Sequence, residues 1–145
     1  MSDQQKEPAR LYQPKGFTDH PQIMEALEPY MKENNTGDLK YFEGLPASKA
    51  ADILHLLPAQ LIKDQQNGGP PMGKLIEVGL EFGRVWFMGY VVGSERDDER
   101  FSLEGFFAPK DIADAVLARL DCDKPDEWSE VDFADQGKVM KAWWD

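Results

Sequence analysis

The sequence predicts an α+β domain: a small antiparallel sheet built on a central β-hairpin and packed with several short helices. Three observations carry this. Val85–Val92 and Phe101–Phe107 are rich in β-branched and aromatic residues and flank a polar run of loop length, the composition of a paired hairpin. Apolar residues recur at helical spacing in several segments that proline opens and proline or glycine closes. The chain has 145 residues, 41% of them hydrophobic, the common size of one domain, which buries roughly 70% of the surface its unfolded chain exposes.

Residues 1–10 are polar and read as a disordered tail, with a single domain over 11–145. A first helix starts near Asp19 or His20 with Pro21 in its first turn and carries Ile23, Leu27, Tyr30 and Met31 on one stripe. Pro29 removes the bond to Glu25 and must kink or split it, and Asn34–Gly37 ends the element. Leu39–Phe42 reads as a short edge strand. Ser48 is placed to cap a second helix with Ala50, Ile53, Leu54 and Leu57 inward, and Pro58 stops it and starts a third with Leu61 and Ile62. Gln65–Pro71 is the strongest loop signal.

Residues 74–82 support two readings. Pro71 at the start, Gly83 at the end and the spacing of Met72, Leu75, Ile76 and Leu80 favour a helix; Ile76, Val78, Leu80 and Phe82 alternate as in a strand, and Gly79 weakens both. After the hairpin, Pro109 opens a helix with Ile112, Ala113, Val116, Leu117 and Leu120 inward and Asp111 at the favourable end of the dipole. An acidic loop follows, and a final helix is expected over about Ala134–Trp144.

Net charge is −11, which argues against direct binding to a nucleic-acid backbone. Residues 93–145 hold 15 acids and 7 bases, and within Asp121–Asp135 seven acids face one base, Lys124. A solvated face is the ordinary reading of such a run; a docking surface for a basic partner is the sharper one. No apolar run reaches the ~20 residues that span a bilayer, and the polar start is not a signal peptide. One cysteine, Cys122, suits a reducing compartment. The expected location is the cytoplasm.

Tests of specific chemistry mostly fail. His20, His55 and Cys122 are too few and too scattered for a zinc site, and Asp121–Asp132 breaks the calcium-loop pattern at Pro125 and Asp126, so no metal and no cofactor is expected. Gly68–Lys74 lacks the phosphate-loop spacing, and its prolines remove the amides that would cradle a phosphate. Cys122 lies among acids that raise a thiol's pKa. His55 reads as a partly buried histidine and His20 as a helix cap.

One polar cluster stands out, Glu95–Arg100 at the hairpin turn. Interleaved carboxylates and guanidiniums can bind a charged ligand, although such runs are usually mutually paired surface charges. The ligand-binding candidates are Arg84, Tyr90, Arg96, Asp97 and Arg100. The aromatic residues of the hairpin exceed what one sheet face hides, and adjacent tryptophans on a helix point about 100° apart, so Trp86, Trp143 and Trp144 are interface candidates. The expectation is a non-catalytic protein-binding, accessory or regulatory protein, with a protein partner or self-association. The alternative is a metal-independent enzyme or small-ligand binder with its site near the 93–100 turn.

Overall fold

A computed structural model describes residues 12–33, 35, 37–65, 69–133 and 136–144. The expected tail 1–10, parts of the Asn34–Gly37 turn and the tip of the Gln65–Pro71 loop lie outside these residues. Five antiparallel strands form one sheet: β1 (Leu39–Pro46), β2 (Trp86–Val92), β3 (Arg100–Pro109), β4 (Glu127–Asp132) and β5 (Lys138–Trp143), in the order β1-β2-β3-β5-β4. Among the described residues five α-helices accompany them: α1 (Pro21–Leu27), α2 (Ala47–Ile53), α3 (Ala59–Lys63), α4 (Met72–Phe82) and α5 (Lys110–Leu120). The predicted α+β class and its central hairpin are present, with Trp86 opposite Phe107 and Val92 opposite Arg100. Among the described residues no helix is long and apolar enough to cross a membrane.

Local chemistry explains most boundaries. The His20 imidazole accepts the Gln22 amide at 3.1 Å and caps α1, and the helix ends at Leu27 because Pro29 forces a short 3-10 turn over Glu28–Tyr30. Residues 74–82 are helical, from Pro71 to Gly83. Gly79 belongs there for packing: a Cβ on it would lie 2.8 Å from the Phe87 ring and 2.9 Å from Ala47, so only glycine lets α4 approach β2 this closely. Asp121 closes α5 in the left-handed conformation at φ 50°.

Three local expectations are corrected. Ser48 is not a cap, because Pro46 occupies that position and α2 begins at Ala47. His55 is exposed in a 3-10 turn rather than partly buried. The last element is strand β5, not a helix: pairing with β3 on one side and β4 on the other overrides a weak local helical preference. The acidic stretch is accordingly a loop followed by edge strand β4.

Helices cover one face of the sheet. Phe42, Phe87, Val91, Phe101, Phe106 and Trp144 meet Ile23, Leu27, Ile53, Leu75, Ile76 and Val116 in the main core. A bulge makes this possible. Simple alternation along β3 would put Phe107 with Phe101 and send Phe106 across, but Gly105 pairs with Met88 and Leu103 with Gly89, leaving Glu104 as an extra residue. The parity flips there, so Phe101, Leu103 and Phe106 all face the helices while Phe107 turns to the other side.

Candidate functional site

The second sheet face carries no helix among the described residues. Alternation in β1 and β2 turns Tyr41, Glu43, Trp86, Met88 and Tyr90 toward it, and β5 adds Val139, Lys141 and Trp143. Phe133, from the β4–β5 turn, folds back onto Phe107 (ring centroids 4.6 Å apart) and Trp86 (5.1 Å). Met88, Phe107 and Val139 are thereby buried in a small second cluster, while Trp86 and Trp143 stay half-buried at its border. Tyr41 is 42% exposed and tilts against Tyr90 at 5.9 Å.

Three open depressions run along this face and its β1 edge, of about 880, 390 and 210 Å³, and all share Glu43. Tyr30, Tyr41, Trp86, Phe133 and Trp143 supply their aromatic walls. Four carboxylates line them, Glu33, Glu43, Glu104 and Asp132, against two amines, Lys32 and Lys141. Lys141 is drawn to Glu127 at 3.3 Å, and Lys32 lies 3.9 Å from Glu43.

The hairpin turn is built differently from a free charged tip. Arg96 clamps Asp98 with two bonds of 2.8 and 2.9 Å, and Arg100 reaches the same carboxylate at 3.1 Å. Arg96 therefore holds the Asp98 carboxyl below its ordinary range, with partial burial opposing and Arg100 reinforcing the shift. Arg100 also donates to the Tyr90 hydroxyl at 3.1 and 3.3 Å, its guanidinium carbon 5.3 Å from the ring centroid. Tyr90, Arg96 and Arg100 thus come together around Asp98. Asp97 is exposed beside them, and Arg84 stands apart at the far end of β2, paired with Asp111 at 3.0 Å.

Residue-level reading of the sequence missed Glu99. Its side chain is 2% exposed and accepts the Gly16 amide at 2.7 Å, the Thr18 amide at 3.0 Å and the Thr18 hydroxyl at 2.6 Å. Lys15 donates to the Arg96 carbonyl, and the Ser94 hydroxyl donates to Asp19 at 2.6 Å. The turn is thus pinned to residues 15–19, a partner 75 or more positions away that no local pattern announces. A depression of about 280 Å³ beside it is lined by Thr18, Asp19, Asp38, Lys40, Ser94 and Glu95.

Trp144 is not at the surface: it is 2% exposed, packs against Phe106 and donates its indole N–H to the Asp123 carbonyl at 2.9 Å. Trp143, its neighbour on a strand, takes the opposite face. Burial first, then Asp123 and Asp121, raises the Cys122 thiol above its ordinary value. Among the described residues no group of three or more His, Cys, Asp or Glu side chains is gathered to hold a metal. Comparison with protein-family models, curated proteins and solved structures finds no match.

Proposed function

We propose that this chain is a non-catalytic protein-binding domain, an accessory or regulatory protein that engages its partner through the helix-free face of the sheet. The observation that carries the reading is the aromatic border there: Tyr41, Trp86 and Trp143 frame open depressions instead of a closed cavity. Tyrosine and tryptophan at that degree of exposure are the residue types that anchor protein contacts. The competing reading, a ligand or catalytic site at the 93–100 turn, has less support. Arg96 and Arg100 direct donors to Asp98 and Tyr90, and the Glu99 carboxyl is committed to Gly16 and Thr18. The lone Cys122 fits a cytoplasmic location.

Photo-crosslinking from inside the source cell tests this. A photoreactive phenylalanine analogue at Tyr41 or Trp143 is expected to give the same discrete adduct from both positions, and none from Leu80 on the helix side. Purified partner should then bind the wild type and lose affinity for Trp143→Ala. Equal adducts from both sides of the molecule, or adducts only from Asp97, would reject the reading.

A further inference from the structure

We propose that the outer edge of β4 receives an extended segment of a partner protein, which joins the five-stranded sheet as a further strand; the inference rests on the protein-binding reading above and adds the conformation and chemistry of the occupant. The register fixes which backbone groups are offered. Trp144 donates to the Glu104 carbonyl at 2.9 Å, so the even-numbered residues of β5 bond to β3 and the odd-numbered ones to β4. Their β4 partners are Glu127, Ser129 and Val131, and Phe133 continues the series by donating to the Gly137 carbonyl at 2.7 Å. The amides and carbonyls of Trp128, Glu130 and Asp132 therefore point away from the sheet. All three residues are exposed, and among the described residues no backbone or side-chain group bonds to these outward atoms. Donors and acceptors alternating at strand spacing are complementary to one kind of ligand, an extended peptide backbone.

The opposite edge of the same sheet is closed. The Asn35 side-chain amide accepts from the Tyr41 amide at 2.9 Å and donates to its carbonyl at 2.7 Å, in the place a neighbouring strand would take. A bulge at Gly44 and the missing amide of Pro46 blunt the rest of β1. β4 has neither device: it pairs with β5 from Glu127 to Asp132 without a register shift and contains no proline. Charge is the other common guard of an edge. Here it is cancelled pair by pair, Glu127 with Lys141, Glu130 with Lys110 and Asp132 with Lys138. The flanking side chains describe the segment that fits. Trp128 is 36% exposed on the helix side and calls for a large apolar side chain beside it, while Val131, packed in the second cluster, carries the helix-free face onto the added strand. A second copy of β4 fits poorly. The antiparallel register that uses all three outward residues sets Glu130 against itself, between chains of net −11 each.

The test uses the full chain, isotope-labelled, and a short synthetic peptide in which threonine alternates with valine around a central phenylalanine, with lysine at each end for solubility. The peptide is expected to shift the amides of Trp128, Glu130 and Asp132 and to slow their exchange with solvent. A fully N-methylated copy keeps the side chains and the charge, loses every backbone donor, and is expected not to bind. Glu130→Pro removes one outward amide at an edge position where proline costs no ladder bond, and an unaltered β5 amide spectrum verifies the fold. It is expected to weaken binding about tenfold, through one lost hydrogen bond and the clash of the ring, while Glu130→Ala binds as the wild type does. Equal binding by Glu130→Pro or by the methylated peptide overturns strand addition, and so does a loss in Glu130→Ala, which would assign the contact to the carboxylate. Shifts at Tyr41 and Trp86 without β4 overturn it as well, although the protein-binding face then stands. Shifts confined to the 93–100 turn overturn both. No binding by the unmethylated peptide overturns the inference, and self-association without peptide that Glu130→Pro abolishes replaces it with an edge-to-edge dimer.

Discussion

Glu99 holds Thr18 twice, accepting both its amide and its hydroxyl on a single carboxylate oxygen that is shut away from solvent. The other oxygen takes the Gly16 amide, so a hairpin residue satisfies amides at the start of the 3-10 turn Phe17–Asp19 that the turn's own bonds leave unpaired.

Removing this side chain should therefore cost more than its size suggests. Glu99→Ala strands two backbone amides, and a loss of about 2–6 kcal/mol is expected, from roughly 1–3 kcal/mol per buried unsatisfied group. Glu99→Gln keeps an accepting oxygen and should lose clearly less. Urea titration of both variants checks the order; equal losses would show that volume, not hydrogen bonding, is what the site needs.

The two adjacent tryptophans at the end of β5, Trp143 and Trp144, should separate cleanly. Trp144→Ala empties a fully buried site and is expected to cost about 3–5 kcal/mol. Trp143→Ala removes a half-buried ring on the other face and should cost about 1 kcal/mol or less. Thermal melts of the two single variants measure this directly.

Gly89 and Gly105 are places where another backbone comes too close for any side chain. A Cβ on Gly89 would stand 1.9 Å from the Ser102 carbonyl oxygen, and one on Gly105 would stand 2.0 Å from that of Ala142. Since backbone cannot rotate away, each alanine variant should lose at least the ~1–3 kcal/mol of ordinary overpacking, with weakened amide protection in β2, β3 and β5. Full retention of the wild-type melting temperature would mean that the strands can separate there at no cost.

The Asp98 clamp predicts a small pH dependence with a definite sign. The folded-state pKa is lowered, so its stabilisation is present above the unfolded value of about 3.9 and fades as pH falls through the lower folded value. Because the pair is solvent-accessible, the whole effect should stay within about 1 kcal/mol. Wild type should exceed Asp98→Asn in urea midpoint at pH 7, and the gap should close below pH ~3.9; a gap that persists in strong acid would assign the loss to something other than charge.

By itself the sequence determined the parts whose signals are local. β-branched and aromatic runs around a polar turn specified the hairpin, and prolines at 21, 29, 58, 71 and 109 set where helices start and stop, because a missing amide acts within its own turn. The sequence also marked the polar cluster around Arg96 and the aromatic excess that became the helix-free face. Only the tertiary structure decided the rest. It made 138–143 a strand, since that segment gains two sets of ladder bonds from neighbours it cannot see in sequence. It buried Trp144 and exposed the border of Trp143, because strand alternation, not helical rotation, separates them. It flipped Phe107 at the Glu104 bulge, and it buried Glu99 against residues 16–18 while removing Arg84 from the site. Each of these depends on contacts between distant segments, whose free energy outweighs the small local preferences that a sequence displays.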